Sequence, residues 1–536
     1  MRKILLSVAM VMASLGLQAA DANYQVVPLP QNITLEKGAP FVLSGNTAVL
    51  VEGSDEAMQR NAAFLKQFVR ETTGITLAGT GKKGTTITLK LNNKIANQEG
   101  YVITVKPRAI VIEGKTPQGV FYGVQTLRKS LPVEQTATVN LPVGKIADYP
   151  RFGYRGAMLD CARHYFSVPF VKEYIDVLAL HNINTFHWHL TEDQGWRVEI
   201  KRYPKLTEIG SKRAQTVMGN NTELYDGVPY GGYYTQDEMR DIVKYAAERY
   251  ITIIPEIDMP GHMLGALAAY PEYGCTGGPY KVAERWGVFD DILCAGNPKT
   301  YEFVNNILDE LLDIFPSKYI HLGGDEAPRT RWKACPRCQA EIKRLNLKGS
   351  NGFSAEAQLQ SHFMNVIAQH LATKGRNIIG WDEILEGDVA PGSTVMSWRG
   401  IDGGMEAVKR GLDAIMSPNT YYYLDYYQTK AHRLTLIGGD LPVEKVYSYN
   451  PVPDDASEAL KQHVKGVQVN LWTEYVMGRD LALYQLLPRL AAMAETGWTE
   501  NAKKDLNSFK QRESKLNQLY HHYDWKACQE MFKEKK

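Results

Sequence analysis

Two carboxylates stand side by side at the end of Tyr319-Ile320-His321-Leu322-Gly323-Gly324-Asp325-Glu326. A short apolar strand runs there into two glycines, so the backbone can turn sharply and approach a ligand just before two groups able to exchange protons. A strand that only packed would need neither feature. Taken alone, Asp325 and Glu326 could equally be a solvated turn that opens a helix. Their setting in the rest of the chain decides between the two readings.

Beyond Arg151 short apolar strands alternate with helical stretches. The pattern predicts eight strands: Gly156 to Asp160, Thr185 to Leu190, Ile251 to Ile257, Tyr319 to Leu322, Asn377 to Gly380, Thr394 to Ser397, Ala414 to Met416 and Val467 to Leu471. Helices are expected at Val168 to His181, Thr235 to Arg249, Tyr301 to Ile314, Ala355 to Thr373 and Met405 to Arg410, with Leu481 to Thr496 after the last strand. Such alternation over about 350 residues favours a (β/α)8 TIM barrel over a doubly wound sheet. Residues 21–148 read differently. Thr85 to Leu91, Tyr101 to Val105 and Ala109 to Ile112 have the period of a half-buried antiparallel sheet, and Glu56 to Thr73 and Pro117 to Ser130 look helical. The expected organisation is a small α/β accessory domain over 21–148, a catalytic barrel over 149–500 and a packed helical extension over 501–536.

In a barrel of parallel strands the carboxyl ends form one rim, where barrel enzymes keep their sites. The residues just past those ends are Arg163, Glu192 with Asp193, Glu256 to His262, Asp325 with Glu326, Trp381 with Asp382 and Glu383, Trp398 with Arg399, Tyr423 with Asp425, and Trp472 with Glu474. Carboxylates, arginines and three tryptophans at one mouth suit a sugar: aromatic faces cover the apolar side of a pyranose, and charged groups hydrogen-bond its hydroxyls. Most sugar-cleaving enzymes hold two carboxyls roughly 5–9 Å apart across the scissile bond. Neighbours on extended backbone point in different directions, so Asp325 and Glu326 are poorly placed for that. They suit a division of labour, in which one donates a proton and the other holds a part of the substrate that itself attacks.

His321-Leu322-Gly323-Gly324-Asp325-Glu326, together with Arg163 in Leu159-Asp160-Cys161-Ala162-Arg163, His187-Trp188-His189-Leu190, Glu256-Ile257-Asp258-Met259-Pro260-Gly261-His262, Gly380-Trp381-Asp382-Glu383, Tyr423-Leu424-Asp425 and Trp472-Thr473-Glu474, resembles glycoside hydrolase family 20, the β-N-acetylhexosaminidases. The resemblance runs from about Tyr24 to Trp498. It implies a retaining exo-glycosidase in which the substrate's own 2-acetamido oxygen attacks C1, an exception to the two-carboxylate scheme. By the same resemblance Glu326 is the acid and base, Asp325 orients the acetamido group, and His262 and Glu192 support Glu326. Trp381, Trp398 and Trp472 wall the acetamido pocket, Tyr423 hydrogen-bonds its carbonyl, and Arg163, Asp425 and Glu474 hold ring hydroxyls. Glu192 stands where the family has Asp, and the adjacent Asp193 is an alternative partner for His262. No cofactor or metal is implied.

Two other functions fit parts of the sequence. His187 and His189 lie two apart on one strand, with His262 and His321 near later strands, a set that a metal-dependent barrel hydrolase could use. A non-catalytic carbohydrate-binding barrel would keep the tryptophans and arginine without needing the acid pair. The whole-chain features narrow the partners. Met1-Arg2-Lys3, the apolar run Ile4 to Leu17 and Gln18-Ala19-Ala20 read as a leader for export over residues 1–20, to the periplasm or outside the cell. The 61 Lys and Arg nearly balance the 59 Asp and Glu, and loss of Arg2 and Lys3 makes them equal. A neutral chain carries no footprint for nucleic acid, and no later segment is apolar enough to span a bilayer. Of the six cysteines, Cys275 and Cys294 bracket one Gly-rich loop and are expected to form a bridge. Cys335-x-x-Cys338 has no second pair nearby, which argues against a zinc ribbon and leaves a local disulfide or two free thiols as the expectation.

Overall fold

A computed structural model of the chain describes residues 19–78, 84–350, 352–453 and 455–532. The expected leader lies outside these residues except for its last two. The chain forms two compact units, residues up to 25 with 32–148, and residues 26–31 with 149 onward.

The larger unit is a closed barrel of eight parallel strands: β1 (Tyr154–Asp160), β2 (Thr185–His189), β3 (Thr252–Glu256), β4 (Tyr319–His321), β5 (Asn377–Trp381), β6 (Thr394–Ser397), β7 (Asp413–Met416) and β8 (Val464–Leu471). Each strand pairs with the next, and β8 returns to β1 in register from Tyr154 opposite Gly466 to Leu159 opposite Leu471. Strands covered on both faces need apolar residues on both. All five residues of β2 and six of the seven in β1 are buried accordingly. Because all eight run the same way, their carboxyl ends open on one rim.

The helices follow local signals with two instructive departures. Gln236–Ala247 starts at a capping box, in which Thr235 accepts from the Glu238 N–H and the Glu238 carboxylate accepts from the Thr235 N–H. The helix expected over Leu481 to Thr496 is two, Arg479–Leu486 and Arg489–Trp498. Pro488 has no N–H to donate and its ring blocks continuation, so the helix stops and restarts around it. The helix expected from Met405 begins at Asp402, because packing on β6 and β7 overrides the low helix propensity of Gly403 and Gly404.

In the smaller unit a six-stranded sheet runs in the order 32–35, 144–148, 101–106, 109–114, 86–91, 48–51. It is mixed, not antiparallel as the alternation suggested. Tyr101–Lys106 and Ala109–Gly114 form an antiparallel pair, whereas Thr86–Leu91 lies parallel to both Ala109–Gly114 and Ala48–Val51. The helix Glu56–Thr73 makes the crossover that a parallel neighbour requires. A period of two reports which face is buried and is blind to strand direction.

The cysteines also depart from expectation. All six are thiols, and Cys275 and Cys294 are not bridged to each other. The loop that holds them folds onto the helix Pro336–Arg344, which brings Cys335 and Cys338 to the same place. The second pair absent from the local sequence is supplied by chain more than 40 residues away.

The extension after the barrel is the helix Leu506–His522, capped by Asp505, which accepts from the Ser508 N–H. Its Arg512 meets Glu495 with both terminal nitrogens, at 2.5 and 2.7 Å. Glu495 is fully buried and also accepts from the Leu29 N–H at 3.0 Å and the Tyr447 hydroxyl at 2.9 Å. Breaking a buried ion pair from one side strands the other charge and costs about 3–5 kcal/mol. Glu495→Ala is expected to lower stability by that order in denaturant titrations, with no change in the rim; a loss below about 1 kcal/mol would mean that this pair behaves as an exposed one.

Candidate active site

The acid pair sits where β4 meets its loop. Gly323 has φ +65°, and a Cβ there would come within 1.7 Å of Asp258 Oδ1. That same oxygen accepts the Gly324 N–H at 3.2 Å, so the β3 end and the β4 end are held together through a position only glycine can occupy. Glu326 itself is left-handed, at φ +43°. A non-glycine residue there stores about 1–3 kcal/mol of strain, which surrounding structure must hold in place. The turn gives the two acids different surroundings: Asp325 is buried, whereas the Glu326 side chain is 41% exposed.

His262, also left-handed at φ +53°, lies under the pair. Its Nε2 is 3.6 Å from Glu326 Oε2 and 3.8 Å from Asp325 Oδ2. Its Nδ1 is 2.9 Å from Glu192 Oε2 and 3.3 Å from Asp193 Oδ2. The structure therefore brings both candidate partners to His262, with Glu192 nearer. Glu192 also meets Arg163 at 2.7 Å and His189 at 3.2 Å. Burial works against its ionisation, but Arg163 and His262 outweigh it and hold Glu192 below the usual carboxylate range. Burial likewise opposes charge on His262, and Glu192 and Asp193 raise it well above its ordinary value. Asp325 is pushed up to about 6 by burial, against the pull of His262. Glu326 is lowered, chiefly by its contact with His262.

The four histidines of the metal reading divide. His187 and His321 lie 2.9 and 3.0 Å from the Glu256 carboxylate, and His189 also pairs with it. Burial pushes His187 down to about 4. Burial opposes charge on His189 too, but Glu256 and Glu192 raise it to about 10. His262 faces Glu192 and Asp193 instead. Glu256 further accepts the Trp381 indole N–H at 2.9 Å, which fixes that ring.

Trp381, Tyr423 and Trp472 form a buried aromatic cluster with Trp398 packed against it. Trp381 and Trp472 are 5.8 Å apart between ring centroids, and Trp398 stacks on Tyr423 at 5.9 Å. The Arg163 guanidinium lies 5.0 Å from the Trp472 ring centre. Glu474 is half-buried, and burial raises it despite Arg163. Several buried polar atoms of this mouth have no hydrogen-bond partner among the described residues: Asp325 Oδ1, both carboxylate oxygens of Asp425, Arg163 Nε and Trp472 Nε1. Unsatisfied groups of this kind each cost about 1–3 kcal/mol when nothing is bound, so their convergence marks a ligand site.

Every site residue named from the sequence is placed on this rim. Three further residues had no role assigned. Asp258 holds the Gly324 N–H. Glu383 accepts the Trp398 indole N–H at 3.0 Å and fixes that wall of the pocket. Trp286 lies 5.4 Å from the His164 ring and 5.4 Å from the Arg213 guanidinium. Both acids stand inside the motifs and the rim set read from the sequence but carried no role there, and Trp286 sits in a long loop with no signal at all.

Comparison with known proteins agrees with this geometry. Residues 152–501 match the model of the glycosyl hydrolase family 20 catalytic domain, and 23–149 match that family's domain 2. The chain belongs to glycoside hydrolase family 20. It is 43% identical to a β-hexosaminidase of Porphyromonas gingivalis over 92% of its own length, spanning 62% of that relative. It is 33% identical to a β-hexosaminidase of Vibrio furnissii over 89% of its length and 77% of that protein. Among solved structures, the family 20 exo-β-N-acetylglucosaminidase of Vibrio harveyi in complex with N-acetylglucosamine superposes with a TM-score of 0.82 at 32% identity, over 97% of this chain and 80% of that one. The family 20 β-N-acetylhexosaminidase of Streptomyces coelicolor gives 0.81 at 31% identity, over 94% and 97%.

Within this family 20 mouth, the titration of Glu383 bears on stability. Burial first, then the nearby Asp325 and Asp382 charges, push it from 4.5 up to about 8. Between those values the folded chain keeps a proton that the unfolded chain has lost, so stability falls as pH rises through the window. The melting temperature of the ligand-free protein should decline from about pH 5 to pH 8, and Glu383→Gln should flatten that decline; an unchanged slope would refute the assignment.

Proposed function

We propose that this family 20 hydrolase is a retaining exo-acting β-N-acetylhexosaminidase, which removes terminal non-reducing β-linked N-acetylglucosamine or N-acetylgalactosamine by substrate-assisted catalysis. The observation that carries the reading is the contrast within the acid pair: a buried Asp325 with one oxygen unpartnered, beside a Glu326 open to solvent. Asp325 accepts the acetamido N–H and balances the positive charge that develops there, while the Tyr423 hydroxyl orients the acetamido carbonyl. That carbonyl oxygen attacks C1 as the bond from C1 to the glycosidic oxygen breaks. Glu326 gives its proton to the departing oxygen, and a cyclic oxazolinium ion is left. Glu326 then takes a proton from water as the water attacks C1, which opens the ring with retained configuration.

His262 supplies the link between the two halves. In the ligand-free site the proton resides on the imidazole and Glu326 is ionised, the state needed to activate water. A sugar over Glu326 removes its water and favours the protonated carboxyl, so the proton passes to it before bond cleavage once the 3.6 Å separation closes to hydrogen-bond distance. Trp381, Trp398 and Trp472 enclose the acetamido group. Arg163, Asp425 and Glu474 offer the unpartnered or raised groups that ring hydroxyls would satisfy. The N-acetylglucosamine held by the Vibrio harveyi relative supports the sugar class. The leader-like start supports export to the periplasm or beyond, where such glycans are met, and no helix among the described residues is long and apolar enough to cross a membrane.

Hydrolysis of a chromogenic β-N-acetylglucosaminide tests the reading. Glu326→Gln should lose roughly 10²–10⁴-fold in kcat and Asp325→Asn roughly 10²–10³-fold, and a thiazoline that mimics the oxazolinium should inhibit the wild type. Asp325 must be ionised to hold the developing charge and sits at about 6. The rate should therefore fall as pH drops below about 6, and that acid limb should vanish in Asp325→Asn. Wild-type rates in Glu326→Gln, or indifference to the thiazoline, would sink the proposal.

A further inference from the structure

Four thiols meet where two barrel loops cross. Cys275 and Cys294 lie in the loop that follows β3 and precedes the helix Pro298–Leu312, and Cys335 and Cys338 lie at the start of the helix Pro336–Arg344 after β4. Cys294, Cys335 and Cys338 are buried, Cys275 is half-buried, and one sulfur from each falls within 4.8 Å of all the others. The separations are 3.8 Å for Cys275 to Cys338, 3.8 Å for Cys294 to Cys335 and 3.7 Å for Cys294 to Cys338. A tetrahedron of zinc–sulfur bonds of about 2.3 Å has edges of about 3.8 Å. Disulfide sulfurs would instead lie about 2.05 Å apart within each pair.

The surroundings are built to hold these two segments together. Gly296 lies so close to the helix start that a Cβ would meet the Arg337 carbonyl carbon at 2.2 Å and the Cys338 nitrogen at 2.3 Å. Arg337 donates to the Gly274 carbonyl at 2.9 Å and the Cys275 carbonyl at 3.3 Å. Its cation is thereby fixed beside the sulfurs, where it offsets negative charge. Trp332 donates to the Leu293 carbonyl at 2.9 Å, and Arg331 meets Asp291 at 2.7 Å.

We propose that Cys275, Cys294, Cys335 and Cys338 bind one zinc ion as a closed tetrathiolate site, which ties the loop after β3 to the segment after β4. Binding releases the four thiol protons and leaves a complex of charge −2 facing Arg337. Four sulfur donors suit zinc or iron. A closed set that leaves no open position suits zinc. The site stands apart from the acid pair in role: it fixes the loop that carries Trp286 and does no chemistry on the sugar.

Metal analysis of the full-length protein, purified without chelator, tests this. One zinc per chain is expected, with the four thiols silent to a thiol reagent until a chelator is added, and with the 273–297 loop open to protease only after chelation. Cobalt exchanged into the site should show sulfur-to-metal charge transfer with the strong visible bands of a tetrahedral thiolate set, and Cys294→Ser and Cys338→Ser should each lose the stoichiometric metal. Metal-free protein whose mass shows two disulfides, or four thiols that react at once, would overturn the proposal. Iron in place of zinc would overturn the assignment of the ion.

Discussion

The carboxylates of Asp160, Glu192, Asp193, Glu256, Asp258, Asp325, Asp382, Glu383 and Asp425 are buried in one barrel mouth, and the need to keep them there organises everything around them. Isolated buried charges are too costly to persist unless they are paired or neutralised. The mouth uses both remedies. Arg163 and His262 keep Glu192 ionised, and His189 keeps Glu256 ionised, while Asp258 and Asp325 are driven upward chiefly by burial. The charged histidines and the arginine are therefore as much a condition of the fold as they are parts of a site.

This arrangement accounts for a glutamate, longer than aspartate by one methylene, at position 192. The extra methylene lets one carboxylate reach Arg163 with one oxygen and His262 with the other. Asp193 closes on the same imidazole and also caps the Leu264 N–H. Both carboxylates thus face the same imidazole nitrogen, Nδ1, and Nε2 faces the acid pair. The strained φ of His262 and of Glu326 belongs to the same construction, since the strands beneath both residues are locked by Asp258 and Gly323.

The barrel was legible because each strand is a short apolar run between helical periods, and the rim residues follow once the strands are counted. Adjacent acids after two glycines, and tryptophans at three strand ends, carried most of the site. The roles of Glu383 and Asp258 were hidden because each acts through a neighbour: one fixes an indole and the other a backbone N–H. The split at Pro488 was written in the chain and outweighed in the reading by the apolar period on both sides of it.

By itself the sequence determined periodicities, strand ends and the order of chemical groups, because these depend on residues a few positions apart. Only the tertiary structure decided what depends on distant chain. It set the direction of neighbouring strands in the smaller unit, where the crossover and not the alternation makes a pair parallel. It decided which acids are charged, because burial and a partner across the barrel outweigh residue type. It also gathered Cys275 and Cys294 with Cys335 and Cys338, a set of four thiols whose members lie up to 63 residues apart, since a loop packed on a helix fixes three-dimensional separation that spacing along the chain does not.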